Sequence, residues 1–471
     1  MKILLTGATG YIGKRLLPSL VRNGHEVICC VRDKNRFEPP PSIRQHIQIV
    51  EVDFLEEKTL SNVPKDINAA YYLIHSMSGS ADFTELEKKS AQNFRKSLEG
   101  TLVKHVLYLG GIVNNDVLSK HLLSRKAVED ELGKGNYHFT ALRAGIIIGS
   151  GSASFEIIRD LVEKLPVMIA PQWLKTRCQP IAIRDVISFL SLSLGEPKAF
   201  GKAFDIGGPD VLSYKQMLLG YAKNRGLARR IWTVPVMTPR LSSYWLFFVT
   251  STSYKLAVAL VDSMKVEVVC HPNKLAQNLD IRPMNYQEAL DAAFTKIESN
   301  EVLSSWKDSL ISGRFENNLS DYIQVPKHGC FVDQRQATVQ DENKTLQRIF
   351  AIGGDTGWYY ANWLWQLRGF MDKTVGGVGL RRGRTHPTTI NSGDAVDFWR
   401  VLYAKKTEKR LLLYAEMKVP GDAWLEFKIE SGCLIQTATF RPKGLWGRIY
   451  WYAVYPFHGP IFGGMVRKLA G

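Results

Sequence analysis

The chain has 471 residues, room for two or three domains at about 150 residues each. Its composition, 45% apolar and 23% charged, excludes wholesale disorder, and six cysteines exclude a disulfide-dense secreted scaffold. The unusual quantity is charge: 61 Lys+Arg against 45 Asp+Glu leave +16.

The opening MKILLTG runs directly into a glycine turn, too short an apolar stretch for a signal peptide, so the fold is expected to start at residue 1. Short apolar runs predict strands near 2–6, 26–31, 47–52, 69–75, 104–109, 139–148 and 203–206. Helix-length amphipathic stretches fall near 11–23, 82–100, 119–133, 153–165 and 183–195. This alternation predicts an α/β fold, a Rossmann-type doubly wound parallel sheet covered on both faces. Residues 211–320 read as a mostly helical lobe with a strand-like WTVPV at 232–236. Leu241 to Tyr254 is uncharged for 14 residues, short of the roughly 20 that a spanning helix needs. The wider stretch 242–261 reads either as a wall of the substrate pocket or as a membrane-facing amphipathic helix.

A polar segment, Asp308 to Ser320, marks the expected boundary, giving domains 1–320 and 321–471. The second holds seven of the eleven tryptophans and 21 Lys+Arg against 13 Asp+Glu, half of the net charge in a third of the chain. Apolar/polar alternation over 411–417, 423–429 and 434–440 predicts antiparallel strands, and Trp451 to Ala470 an aromatic-rich helix. Cys29, Cys30, Cys178, Cys270, Cys330 and Cys433 form no CxxC and no Cys/His ligand spacing. That usage favours the reducing cytoplasm and no metal site.

Thr6-Gly7-Ala8-Thr9-Gly10-Tyr11-Ile12-Gly13 follows the first strand and opens the first helix. Gly7 suits a tight turn, Gly10 a close approach of pyrophosphate to backbone, and Gly13 close packing of helix on strand, with the phosphates on the helix N-terminus. Thr6, Gly7, Thr9, Gly10, Tyr11, Ile12 and Gly13 are therefore expected to bind a dinucleotide. The second strand ends in Arg32-Asp33-Lys34. Arg32, with Arg36 as a helper, suits a 2′-phosphate and favours NADP(H); Asp33 on the ribose hydroxyl would instead select NAD(H). Asp53 is placed either to accept from the adenine amino group or to cap the following turn.

These residues, with VDF (52–54), YYLIHSM (71–77), VLYLGG (106–111), SRKAVEDEL (124–132), LRAGIIIGSGSASF (142–155), QPIAIRDV (179–186) and FDIGGPDVLSY (204–214), resemble the short-chain dehydrogenase/reductase superfamily in its extended or atypical branch. The resemblance covers about residues 1–300. It is similar to the Rossmann-fold accessory subunit of respiratory complex I and to NmrA-like NAD(P)-binding proteins. It implies a Rossmann domain with a small substrate lobe and, in active members, a Tyr-x-x-x-Lys pair with a Ser or Thr. Lys126 matches the lysine, which holds the ribose. Leu122 stands where the tyrosine would be, and Leu109-Gly110-Gly111 where the hydroxyl would be, with Gly110 still beside the cofactor. His75 and Ser76, ending the fourth strand near the expected nicotinamide, and Tyr108 could substitute. His75 is either an acid/base group, catalytic together with Lys126, or a hydrogen-bonded pocket residue. Gln179 fits either the nicotinamide side or a turn, and Asn93 a polar brace.

The blocks GGDTGWYYANWLW (353–365), EMKVPGDAWLEF (416–427) and 438–462 resemble an uncharacterised bacterial domain of the START/polyketide-cyclase-like helix-grip type. That implies a sheet curled round a long helix and a cavity for a small apolar or amphipathic ligand, lined by Trp358, Trp363, Trp365, Trp424, Trp446, Trp451 and Tyr452. His458 reads as a turn histidine. Arg381-Arg382-Gly383-Arg384 and Lys405-Lys406-x-x-Lys409-Arg410 are either solvated loops or contacts for an anionic membrane surface, placing the protein in the cytoplasm or at the inner face of a membrane. No recognition helix or RNP pattern points to nucleic acid.

Three functions are then open. One is an NADP(H)-binding oxidoreductase acting on a hydrophobic carbonyl, enone or quinone. Another is a non-catalytic scaffold, assembly factor or redox-sensing regulator. The third, a sugar-nucleotide epimerase, needs the absent tyrosine.

Overall fold

The computed structural model describes residues 1–34, 41–75, 83–114, 120–234, 264–298, 330–374, 394–442 and 444–471, with a few single residues between these segments. They form two compact units, divided near residue 311. The apolar run at Leu241–Tyr254, Arg36, Ser76 and the Arg381–Arg384 cluster lie outside the described residues.

The first unit is organised by seven strands: β1 (Lys2–Thr6), β2 (Glu26–Val31), β3 (Ile47–Glu51), β4 (Ala69–Tyr72), β5 (His105–Gly111), β6 (His138–Ala144) and, after β7 (Val167–Pro171), β8 (Lys202–Ile206). They pair in the order β8-β6-β5-β4-β1-β2-β3, every pair parallel. The central strands are buried along their length, as near-continuous apolar runs require when helices cover both faces. At the edge, β3 alternates partly exposed residues. Helices α1 (Tyr11–Arg22), α2 (Phe83–Ser97), α3 (Lys120–Leu132), α4 (Ala153–Lys164) and α5 (Ile183–Leu192) supply the crossovers. On α1, Leu16, Leu17 and Leu20 recur at helical spacing and face the core. The order reverses between β1 and β4, and in doubly wound sheets ligands bind at such a switch point, beyond the carboxyl ends of the strands. The α/β, doubly wound expectation holds.

The expected strand over 139–148 is two elements. β6 stops at Ala144 because the chain turns at Gly145, where a Cβ would come 2.8 Å from Val268 Cγ1. Ile147–Ile148 then pairs with Ile181–Ala182 in a separate sheet. A second core forms around α4, α6 (Tyr214–Asn224) and α7 (Tyr286–Glu298), where Phe155, Tyr221 and Phe294 pack edge to face. Ser213 and Gln216 close a capping box on α6. The WTVPV strand is β9 (Arg230–Val234), parallel to β7 and starting two residues earlier than expected.

The second unit is a six-stranded sheet. Its strands are β10 (Phe331–Thr338), β11 (Ala395–Val396), β12 (Trp399–Lys405), β13 (Arg410–Ala415), β14 (Gly421–Glu430) and β15 (Cys433–Pro442). They pair antiparallel in the order β10-β15-β14-β13-β12-β11. Two shorter helices, α8 (Glu342–Phe350) and α9 (Asn362–Thr374), precede β11, and the chain ends in α10 (Gly444–Ala470). α10 starts seven residues before the expected Trp451. Its first turn presses on the loop before β14: a Cβ at Gly447 would meet Pro420 O at 2.4 Å. One face of α10 (Trp451, Phe462, Met465, Leu469) joins the core. Inside, Arg400 on β12 and Glu416 form a fully buried ion pair, both at 0% exposure, with Arg400 Nε donating to Glu416 Oε1 at 3.0 Å.

Candidate functional site: the glycine loop and the carboxyl ends of the parallel strands

The loop after β1 is built from steric necessity. Gly7 has φ +67°, and a Cβ there would lie 2.5 Å from Leu73 O. A Cβ on Gly13 would lie 2.2 Å from Gly7 O, so only glycine lets α1 sit this close to the loop. Gly10 N–H donates to Gly7 O at 2.9 Å, closing the turn. No side chain caps α1 at Gly10, so the positive end of the helix faces the crevice. Thr9 stands exposed at the loop tip. Thr6 does something else: its buried hydroxyl donates to Tyr71 O (2.9 Å) and accepts from Leu73 N–H (3.1 Å), tying β1 to β4. Its side chain serves the strand pair. Tyr11 lies under Arg15, whose guanidinium is 4.0 Å from the ring centroid and donates to Ser150 O. Burial pushes the Tyr11 phenol up to about 12, so it stays protonated.

At the end of β2, Arg32 is exposed and Asp33 buried at 5%. Asp53 caps a turn: its Oδ1 accepts from Leu55 N–H at 2.9 Å. Of its two expected roles, the local one is occupied. Asn93 is the brace expected of it, donating to Phe54 O at 2.7 Å.

Beyond β4 and β5 the side chains converge. His75 Nδ1 lies 2.9 Å from Glu87 Oε1 on α2, and Ser124 on α3 donates to the other carboxylate oxygen of Glu87. The His75 ring is 27% exposed and Glu87 8%. Desolvation first, and then the Arg125 guanidinium, hold His75 below its usual range against the pull of Glu87. The neutral ring gives its Nδ1 hydrogen to the carboxylate, which puts the lone pair on Nε2. Tyr108 does not substitute for the missing tyrosine. Its hydroxyl donates to Arg125 O at 3.2 Å, and burial raises its pKa.

The corner where the resemblance puts a tyrosine and a serine is filled by other groups. A Cβ on Gly111 would meet Leu122 Cδ2 at 3.0 Å and Arg125 Nη1 at 3.1 Å. Gly110 is buried beside it. Lys126 points along its own helix to Asp130, with Glu129 at 3.9 Å. Its ribose role would require breaking that pair. Gln179 is a structural turn: its side chain donates to Gly208 O (2.6 Å) and accepts from Cys270 N–H (2.9 Å). Glu87, Ser124 and Arg125 were not foreseen. Glu87 sits in a run of charged residues (TELEKK) that reads as a solvated helix face, and only its partner across the crevice distinguishes it.

In the second unit the expected cavity lining divides. Trp358, Trp365, Trp424 and Trp451 are buried core rings, with Trp358 stacked on Trp365 at 4.7 Å. Trp363, Trp446 and Tyr452 are 65–77% exposed on helix surfaces, so they line no interior. His458 lies in α10, not in a turn, buried against Trp451 and Phe462, 3.5 Å from Asp333 Oδ2. Burial holds it down to about 4.

Residues 7–159 match the family model described as NAD(P)H-binding, and residues 327–465 one described as a protein of unknown function. The first unit is an NAD(P)-binding Rossmann domain. Among curated proteins, the chain is 21% identical over 227 residues to the divinyl chlorophyllide a 8-vinyl-reductase of Arabidopsis thaliana, covering 44% of this chain and 54% of that protein. The chain thus spans about half the length of the curated relatives it matches. Among solved structures, Citrobacter sp. triphenylmethane reductase complexed with NADP(H) superposes with TM-score 0.51 at 14% identity, covering 62% of this chain and all of that one. A nucleoside-diphosphate-sugar epimerase from Staphylococcus aureus gives 0.50 at 16%, covering 62% and 99%. At these identities the structural likeness establishes the fold. The domain binds NAD(P)H. Among the described residues no helix is long and apolar enough to cross a membrane.

Proposed function

We propose that the protein is an NADP(H)-dependent reductase of a hydrophobic substrate bearing a conjugated C=C or C=O group. The observation that carries this reading is the Ser124–Glu87–His75 chain at the carboxyl end of β4, next to the glycine loop. A bound nicotinamide supplies a hydride to the electron-poor carbon. The partner atom, carbon or oxygen, must then gain a proton. His75 takes up a proton from solvent at Nε2 and passes it to that atom, returning to the neutral ring, while Glu87 fixes the ring and offsets the charge of the transient imidazolium, and Ser124 fixes Glu87. The matched relatives are named as vinyl reductases, which supports C=C reduction by a domain of this type. Arg32 favours the 2′-phosphate of NADP(H).

The test follows NADPH absorbance with the full chain and a panel of enones and quinones. At least one substrate is oxidising NADPH in the expected outcome, and Glu87→Gln lowers kcat by about tenfold to a hundredfold with NADPH affinity unchanged. Leu122 and Gly111 in the family's hydroxyl corner favour a second reading, a nucleotide-bound scaffold or redox sensor. Tight NADPH binding without turnover on the whole panel would establish that reading instead.

A further inference from the structure

The outer faces of α9 and α10 depart from ordinary surface. Of the twenty-four large apolar side chains exposed among the described residues, ten lie on these two helices. On α9, Trp363, Leu367, Phe370 and Met371 are 47–65% exposed, at the i, i+4, i+7, i+8 spacing of one stripe. On α10, Leu445, Trp446, Ile449 and Tyr452 are 48–77% exposed and form a second stripe. Arg368 on α9 donates to Tyr450 on α10 at 2.7 Å, and Trp365 packs on Phe462. The two helices therefore meet through long side chains, Arg368 on Tyr450 and Trp365 on Phe462. A single monomer rarely leaves so concentrated an apolar patch in water.

The charges on these helices have one sign at the surface. α10 contains no Asp or Glu in its 27 residues. Its exposed charged residues are Arg448, within the aromatic half, and Arg467 and Lys468 at its end. The single carboxylate of α9, Asp372, is buried and accepts N–H groups from Gly379 and Lys418. The opposite face of α10 is locked into the core through Trp451, Phe462, Met465 and Leu469, so the helix cannot leave the sheet to span a bilayer. It can lie flat.

We propose that the α9–α10 face docks on the surface of an anionic lipid bilayer. The Trp, Tyr, Phe and Leu side chains enter the headgroup boundary, and Arg448 meets the lipid phosphates. Trp and Tyr suit that depth because each joins an apolar ring to a polar N–H or O–H. A second copy of the chain fits less well: pairing this face with itself would set its cations against one another with no surface carboxylate on either helix. This docking is independent of the reductase reading and stands or falls without turnover.

The test uses the full chain and vesicles of phosphatidylcholine with and without phosphatidylglycerol. The protein cosediments with the anionic vesicles, and high salt weakens binding. A Trp446→Glu, Tyr452→Glu double variant loses roughly a hundredfold in partitioning, the effect of about two buried aromatic rings. Trp232→Glu, at the one exposed Trp, Tyr or Phe ring among the described residues of the first unit, binds as the unaltered protein does. Should the double variant fold poorly, quenching of the unaltered protein's tryptophan fluorescence by bromine-labelled lipid gives an independent readout. Absence of cosedimentation and of quenching overturns the proposal. So does unchanged binding by a folded double variant, or sedimentation showing a dimer that the double variant dissociates.

Discussion

The two units place their polar and apolar groups in opposite ways. In the Rossmann unit, packing is conventional and the unusual features gather at one edge: glycines with no room for a Cβ, an uncapped helix end, and His75 held by Glu87. In the C-terminal unit the unusual features are spread out. A charge pair is sealed in the interior, and aromatic rings that a core would normally take stand outside. The first arrangement makes a site for one small anionic ligand. The second makes a surface and leaves its stability dependent on an internal ion pair.

The sharpest way to break the comparison is Arg400→Met. It leaves Glu416 buried without its guanidinium, and urea unfolding followed by tryptophan fluorescence should show a loss of about 3–5 kcal/mol. Pairing it with Glu416→Met recovers most of that loss. A cost below about 1 kcal/mol, as for an exposed pair, would mean that water reaches the interior.

Acid tests both units together. His105, accepting at Nδ1 from Gly195 N–H and paired with Thr140, is held down to about 4 by burial, as is His458 in the second unit. In the unfolded chain each would take a proton near 6.5, the ordinary value of a free imidazole. Between about 6.5 and 4 the unfolded state therefore holds more protons. Stability is complete above that window and falls by about 3 kcal/mol per histidine as pH drops through it. Unfolding curves at neutral and acid pH check this, and His458→Leu should flatten the response of the second unit alone. A response that His458→Leu leaves unchanged would remove that histidine from the account.

Smaller effects address the nucleotide. Gly13→Ala, whose methyl must displace the Gly7 carbonyl, should weaken NADPH binding by at least about tenfold, worth about 1.4 kcal/mol, measured by fluorescence titration. Unchanged affinity would mean the loop has slack that its geometry does not suggest. Arg32→Ala should cost NADPH roughly threefold to tenfold, the loss of an exposed charge contact, and NADH little. Equal weakening of both removes the 2′-phosphate from Arg32.

The same contrast explains what the sequence made legible. Parallel strands buried on both faces are continuous apolar runs, so the first unit could be read strand by strand. The glycine loop was readable because its three glycines are close together in sequence at a strand-to-helix turn, although the carbonyl that leaves Gly7 no room, Leu73 O, comes from the neighbouring strand's end. Glu87 was not, because its meaning depends on His75 and Ser124, twelve and thirty-seven residues distant. The tryptophans misled for a related reason: Trp363 and Trp365 are two residues apart on one helix, so one is buried and the other exposed. Composition counts both; only the phase of the helix against the sheet separates them.

The strand order of the C-terminal sheet also sets a timetable for folding. β10 enters first in the chain, yet its partner is β15, with Phe331 opposite Phe440. About a hundred residues must be made before that pair can close, and the core side of α10 is supplied by residues that come later still. The Rossmann unit can fold while synthesis continues. The second unit cannot finish until all of α10 has been made. Its aromatic segments are then exposed longest in the part of the protein least able to hide them. Slow, chaperone-assisted completion of this unit, rather than of the nucleotide-binding one, is expected to limit how fast the chain matures.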